Sequence, residues 1–227
     1  MKGANAGKLL IVIFTMTLAL IGAAQTNTKY QGVSLVTAGD ISYPPQARAA
    51  GMVTLELNVD SSGTLQRAQA VRDIPPLTRA AQDAVHQWKF QPAKKDGQPV
   101  AGVLRVNVVF NPFNPSDVSI PNKPIPPPEN AAANTTRVFQ PPDVRSAEYA
   151  VYPPNTVASG TVILNVQISP DGSVQDVKLL RGVDPLSSAA SKAAKGWQFT
   201  PAAYESKPIA SHEIVAFVFV RPEIGTM

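Results

Sequence analysis

The sequence predicts an α+β fold of two tandem small domains, each an antiparallel three-stranded sheet with helices packed on one face in the order α-β-β-α-β. Three observations support this: an internal repeat, apolar residues alternating as in strands, and apolar residues at helical spacing. Residues 43–110 align without a gap on residues 152–219, at a constant offset of 109 (152 − 43). Because a catalytic group required by the module would appear in both copies, the repeat also tests candidate active sites.

The repeat is carried by residues with special backbone or packing roles. The matched segments are Tyr43-Pro44-Pro45 with Tyr152-Pro153-Pro154, Gly51 with Gly160, Gly63 with Gly172, Pro76-Leu77 with Pro185-Leu186, Trp88-x-Phe90-x-Pro92-Ala93 with Trp197-x-Phe199-x-Pro201-Ala202, and Phe110 with Phe219. We expect the first domain to cover residues 40–110 and the second residues 148–221.

The first half of each module predicts a turn or short helix followed by a hairpin. Residues 43–51 read as the short helical or turn segment. Residues 53–59 and 162–168 alternate apolar and polar side chains, as half-buried strands do. Gly63 and Gly172 supply the positive φ that a tight hairpin needs. Residues 65–72 and 174–181 form the second strand, whose weaker alternation favours a bulge or an edge position.

The second half of each module predicts a helix and a last strand. Apolar side chains recur at spacings of three and four after Pro76 and Pro185, and each stripe ends in a tryptophan. The many alanines on this stripe let the helix lie close to the sheet. We interpret the Trp-x-Phe pairs as core residues. A turn at Lys95-Asp96-Gly97 then leads to the last strand, which ends at Phe110.

The segments outside the repeats predict export and a spacer. Lys2 and Lys8 precede an apolar run of 13 residues, 9–21, and small residues at 22–24, as in a secretory signal peptide. The alternative is an uncleaved membrane anchor formed by residues 9–24, although 16 residues are fewer than the roughly 20 that span a bilayer. Residues 111–147 form a linker, in which residues 111–128 contain seven prolines.

Composition argues against several classes of function. The chain has no cysteine, which excludes disulfides and thiolate metal sites, and its net charge of +4 is not concentrated in a basic stripe. Neither His86 nor His212 is duplicated in the repeat, and no nucleophile, zinc or phosphate-binding motif is present. We therefore expect no enzyme activity, no metal, no cofactor, no small-molecule substrate and no nucleic-acid partner.

The Tyr-Pro-Pro segment, the hairpin glycine, Pro-Leu-x-x-Ala-Ala and above all Trp-x-Phe-x-Pro-Ala resemble the C-terminal domain of the TonB family in both copies. The resemblance implies a periplasmic interaction domain that docks on outer-membrane TonB-dependent receptors and supports energised transport. It also implies strand pairing with a receptor segment. Contact with the ExbB–ExbD complex is less supported, because the apolar segment lacks a histidine and the spacer lies between two domains. The alternative is an envelope scaffold or adaptor that binds or forms homodimers through sheet edges.

Two regions are candidates for partner binding. The Tyr-Pro segments lie near the receptor-contact region of the family, or they pack the entry to the module. The last strands offer an unpaired edge to an extended peptide, or that edge is covered or paired in a dimer. The candidate residues are Tyr43, Pro44, Tyr152, Pro153, Arg105, Asn107, Val109, Ile214, Ala216 and Val218. Asn107 and Ala216 are expected to face outward.

Overall fold

The computed structural model describes residues 30–47, 49–112, 138–154 and 156–220. The proposed signal or anchor segment, residues 1–24, and most of the proposed linker lie outside the described residues. Within the described residues, no helix is long and apolar enough to cross a membrane.

The two halves of the chain contain the same elements in the same order. The first half comprises β1 (Tyr30–Gln31), β2 (Ser34–Thr37), β3 (Gly51–Val59), β4 (Leu65–Arg72), α1 (Leu77–Val85), β5 (Lys89–Gln91), β6 (Ala93–Lys95), β7 (Gln98–Val100) and β8 (Gly102–Pro112). The second comprises β9 (Phe139–Gln140), β10 (Asp143–Ser146), β11 (Gly160–Ile168), β12 (Val174–Arg181), α2 (Leu186–Lys195), β13 (Gln198–Thr200), β14 (Ala202–Tyr204), β15 (Lys207–Ile209) and β16 (Ser211–Val220). Each element of the second half begins 109 residues after its counterpart, so the repeat starts at Tyr30 rather than at Tyr43.

The principal sheet has six strands in the order β12-β11-β16-β8-β3-β4. Each module contributes three antiparallel strands, and the last strands of the two modules, β8 and β16, pair in parallel at the centre. Two two-stranded and two three-stranded sheets complete the described strands. The α+β class is confirmed, but the expectation of separate three-stranded sheets is wrong because the two modules share one sheet.

The helices lie on opposite faces of this shared sheet. One core cluster joins α1 to Leu55, Val106 and Val108, and it continues over Ile214 and Ala216 of the second module. The other cluster contains the apolar face of α2 together with β11 residues, alternate β16 residues, and Met52 and Val109 of the first module. Each module therefore carries its helix on one face, as expected, while the whole sheet is covered on both.

The segment that precedes β3 differs from the predicted first helix. The Ala47 N–H donates to the carbonyl of Pro44 at 2.9 Å, which closes a single turn, and within the described part of residues 41–50 the chain forms no helix. Consecutive prolines lack the N–H donors that helix propagation needs, so the segment ends after one turn.

The tryptophan motifs belong to the core. Trp88 and Trp197 are 3% and 1% exposed, and Phe90, Phe199, Ala93 and Ala202 are buried beside them. The hairpin glycines lie directly under this motif. Gly172 has φ +87°, and its carbonyl accepts a hydrogen bond from the Phe199 N–H at 2.9 Å. This hydrogen bond joins the β11–β12 hairpin to β13, which follows α2.

Candidate functional site

The last strands of the modules do not form an edge. Each of β8 and β16 pairs on both sides, with the antiparallel neighbour of its own module and with the last strand of the other module. Asn107 and Ala216 are fully buried, so the expectation that they face outward is wrong. The remaining candidates on these strands are also buried: Arg105, Val109, Ile214 and Val218. No extended peptide can pair with β8 or β16 while they hold each other.

A buried polar network lies where these strands meet. The hydroxyl of Thr54 donates to Asn107 Oδ1 at 2.8 Å, and Asn107 Nδ2 donates to Glu213 Oε2 at 2.5 Å. The second of these bonds crosses from one module to the other. Because an amide and a carboxyl group in an apolar interior must find partners, the network favours one register of β8 against β16.

An ion-pair cluster continues this network. The guanidinium of Arg105 lies 3.3 Å from Glu56 and 2.5 Å from Asp143, with its side chain 8% exposed. Glu56 and Arg105 belong to the first module, whereas Asp143 belongs to the segment that leads into the second. The cluster therefore joins the modules a second time.

Glu213 is the most perturbed acid of the network. Burial raises its pKa to about 8; Arg105 and the Asn107 hydrogen bond oppose the shift, and Asp143 adds to it. Burial also raises the pKa of Asp143 above its ordinary value, although Arg105 opposes that shift. We interpret Glu213 as protonated at neutral pH, because complete burial disfavours its charged form more than the Asn107 hydrogen bond favours it.

We expect the contribution of Glu213 to the free energy of unfolding to fall as the pH rises from about 4.5 to about 8, because the folded chain retains a proton on Glu213 that the unfolded chain releases. Above this window both states have lost the proton and the contribution is constant. Glu213→Gln keeps an acceptor for Asn107 but cannot titrate, so the difference in stability between the two proteins should vary with pH across the window. Urea unfolding at a series of pH values measures this, and parallel curves would contradict it.

His212 and Thr161 of the second module also contact the first module. His212 Nε2 lies 2.8 Å from the Val33 carbonyl, and burial lowers the pKa of the imidazole. Thr161 exchanges hydrogen bonds with the backbone of Ile41, which brings the start of the first module onto the second. His212 therefore serves the contact between modules. Within the described residues no group of three or more His, Asp or Glu side chains could hold a metal.

The Tyr-Pro segments face inward. The Tyr43 hydroxyl donates to the carbonyls of Ala47 and Ala49, at 3.0 and 2.8 Å, and its ring packs 6.0 Å from that of Phe110. Tyr152 repeats this arrangement with the Ala158 carbonyl and with Phe219, whose ring centroid is 5.7 Å away. These contacts support the packing interpretation of the two tyrosines. Pro44 and Pro153 are half-buried beside them.

The outer strands β4 and β12 form the two edges of the sheet. Each contains two irregularities in its pairing with the neighbouring strand. Most side chains of both strands are exposed or half-buried. The weak alternation of residues 65–72 and 174–181 predicts this edge position, so the expected docking edge moves from the last strands to these strands.

A cleft of about 270 Å³ opens between the modules at the end where β8 and β16 begin. Tyr30 and Phe139, whose ring centroids are 4.8 Å apart, contribute to its wall together with Arg105 and His212. Arg105 Nη1 and Nη2 pair with Asp143 and Glu56, and His212 Nε2 contacts the Val33 carbonyl, whereas Arg105 Nε is buried without a hydrogen-bond partner among the described residues. The cleft therefore lies at a junction between the two modules.

Comparison with known proteins agrees with the repeated architecture. The family model for the C-terminal domain of the Gram-negative bacterial TonB protein matches residues 40–112 and again residues 149–220. The chain belongs to the TonB C-terminal family. It contains two such domains in tandem, and the two matches end where the central strands β8 and β16 end, at Pro112 and Val220.

Two curated TonB-family relatives are named Protein TonB and come from the B100 and ATCC 33913 strains of Xanthomonas campestris pv. campestris. Each is 40% identical to this chain over 76 residues, which cover 30% of this chain and 33% of the relative. The match thus spans about a third of the length of these relatives. No solved structure matches the chain.

Proposed function

We propose that this chain is an envelope interaction protein of the TonB type, which docks on an extended segment of an outer-membrane receptor and supports energised transport. The proposal rests on tandem TonB C-terminal domains that form one sheet with two open outer edges. Strand addition to such an edge draws its affinity from main-chain hydrogen bonds and needs no catalytic group.

The outer edges replace the last strands as the docking site. The side-chain amide of Gln82 on α1 donates to the Ala68 carbonyl of β4 at 3.0 Å. Backbone groups of successive residues in an antiparallel strand point alternately toward and away from the neighbour. We infer that the N–H and C=O of Ala68 point away from β3, into the position where an added strand would lie. Val177 holds the equivalent position of β12, since it pairs with Val166 as Ala68 pairs with Leu57.

The proposal assigns the remaining candidates smaller roles. Pro44 and Pro153 are proposed as contacts that flank the docked segment, whereas Tyr43 and Tyr152 support them from below. Arg105, Asn107, Val109, Ile214, Ala216 and Val218 act by keeping the central strands together. Export to the periplasm, with residues 9–24 cleaved or retained as an anchor, and contact with the ExbB–ExbD complex complete the proposed role in transport.

Proline substitutions at the outward positions test the docking proposal. Ala68→Pro and Val177→Pro each delete an outward N–H and obstruct an added strand without removing a bond to the sheet. We expect the double variant to bind a synthetic peptide from the N-terminal segment of a TonB-dependent receptor at least about tenfold more weakly than the unmodified chain. The single variants then identify the edge that the peptide uses. Titration calorimetry with the full chain measures the affinity.

The matched control is Arg67→Ala, which changes an exposed side chain of β4 but keeps the backbone donors. It should bind nearly as well as the unmodified chain. Circular dichroism and the melting temperature must show that the proline variants are folded. A folded double variant with unchanged affinity would refute docking by strand addition at the outer edges, and no binding by any of these proteins would favour the scaffold alternative.

A further inference from the structure

The two outer edges of the sheet differ in how far the chain itself covers them. In the first module, Gln82 occupies the outward carbonyl of Ala68. The equivalent of Gln82 in the second module is Ser191 (82 + 109), whose side chain has three fewer non-hydrogen atoms. Within the described residues, the outward carbonyl of Val177 has no side-chain donor. The centre of β12 is therefore the more open backbone edge.

The side chains of β12 also differ from those of β4. Leu179 and Leu180 are 47% and 38% exposed, although large aliphatic side chains are usually buried. Their equivalents in the first module, Ala70 and Val71, are half-buried. Apolar area on an open strand edge favours pairing with another strand.

The charges of β12 indicate which strand could pair with it, namely β12 of a second copy. If two copies of β12 pair antiparallel about a two-fold axis through Val177, Asp176 of each copy lies opposite Lys178 of the other. Directly opposed residues in an antiparallel pair have their side chains on the same face of the sheet. A two-fold axis must therefore pass through a residue rather than between two residues. The nearest alternative axes pass through Asp176 and Lys178. Centring on Asp176 opposes two aspartates, and centring on Lys178 opposes two lysines, both of which are unfavourable. Among these three centres, only Val177 places each Asp176 opposite a Lys178.

The same register also matches the backbone. A two-fold axis through Val177 lets each copy's outward N–H meet the other's outward carbonyl, because both groups of this residue point away from β11. Pairing of β12 with β11 is regular from Asp176 to Leu179 and irregular on either side. The self-complementary stretch coincides with this regular part. The equivalent stretch of β4 places Arg67 opposite Gln69, with no opposite charge to select a register.

We propose that two copies of the chain associate through β12, paired antiparallel about Val177, so that their six-stranded sheets form one continuous sheet. In this dimer β4 of each copy lies at an outer end of the sheet. The Ala68 carbonyl of β4 accepts a hydrogen bond from Gln82, and its second lone pair can accept one from an added strand. The association does not depend on receptor docking.

Charge reversal on the full chain tests this association. Asp176→Lys and Lys178→Asp each place like charges opposite one another at both symmetric positions, and each should weaken dimerisation roughly tenfold. The double variant Asp176→Lys/Lys178→Asp restores both opposite pairs and should recover the original affinity. Both side chains are exposed, so folding should be unaffected. Arg67→Glu on β4 is the matched control and should leave dimerisation unchanged.

Sedimentation velocity over a concentration series, in a detergent that holds the apolar N-terminal segment in solution, measures the dimer fraction. A monomer at all concentrations would overturn the proposal, as would single variants that dimerise like the unmodified chain. A double variant as weak as the single ones would also overturn it, because only register-specific pairing predicts recovery. Loss of dimerisation in Arg67→Glu would assign the contact to β4 and reject β12. None of these outcomes depends on receptor peptide binding.

Discussion

Trp197→Ala should lower the free energy of unfolding by about 3–5 kcal/mol, the usual cost of removing a large aromatic side chain from a core. Trp197 is 1% exposed, and its ring lies 5.9 Å from Phe217 and 6.1 Å from Phe199. Because Phe217 lies on the central strand β16, the cavity opens against the strand that joins the modules. We therefore expect the whole sheet to lose stability in a single cooperative transition, measured by chemical denaturation.

A comparison of the two tryptophans separates ring packing from hydrogen bonding. Trp197 Nε1 donates to the Glu148 carbonyl at 3.1 Å, whereas Trp88 Nε1 is buried without a partner among the described residues. Trp197→Phe should therefore cost about 1 kcal/mol more than Trp88→Phe, because only the first loses a hydrogen bond. Equal costs would show that the Glu148 contact adds nothing. Unchanged stability of the Trp197→Ala protein would contradict the assignment of Trp197 to the core.

Arg105→Leu should also cost about 3–5 kcal/mol, since it leaves two acids of a buried cluster without their cation. Arg105 pairs with Glu56 and with Asp143, and the second pair ties the modules together. The deficit should shrink in acid, because burial raises the pKa of Asp143 and a protonated Asp143 no longer needs a cation. Denaturant unfolding at pH 7 and at pH 4 measures this difference.

The triple variant Arg105→Leu/Glu56→Gln/Asp143→Asn is the control for the cluster. It removes the two negative charges together with the positive one, so it should recover much of the stability that Arg105→Leu loses. A triple variant less stable than Arg105→Leu would show that lost hydrogen bonds, rather than unpaired charge, dominate the cost. Equal deficits for Arg105→Leu at the two pH values would contradict the ion-pair account itself.

The local elements could be predicted from the sequence because their signals are local. Alternation over residues 53–59, the hairpin glycine and the alanine stripe before Trp88 each reflect contacts within one module. Of the two structures expected for residues 43–51, the turn forms rather than the short helix, because consecutive prolines lack the N–H donors that a helix needs. Strands β1 and β2 went unrecognised, since residues 30–37 and 139–146 share only Gln31 and Gln140 at matched positions.

The pairing of the two modules could not be predicted from the sequence, because β8 carries polar residues at the positions that a solvent-exposed strand face would have. Arg105 and Asn107 alternate with apolar neighbours as on a half-exposed strand, yet buried partners from distant segments satisfy both. One signal did point to the centre of the sheet. Residues 214–220 are apolar without interruption, which is typical of a strand buried on both faces. That run also explains why the candidate docking residues on β16 are inaccessible.

The shared sheet is the central claim, and a distance between its two edges tests it most directly. The chain has no cysteine, so Gln66→Cys on β4 and Gln175→Cys on β12 accept one spin label each, both at exposed positions. Five strand spacings of about 4.8 Å separate the two edges in the strand order of the sheet, giving about 24 Å between the labelled backbones. Double electron–electron resonance on the full chain, diluted with unlabelled protein, should show one narrow distribution near this distance. A broad distribution, as for two domains joined only by a linker, would contradict the account.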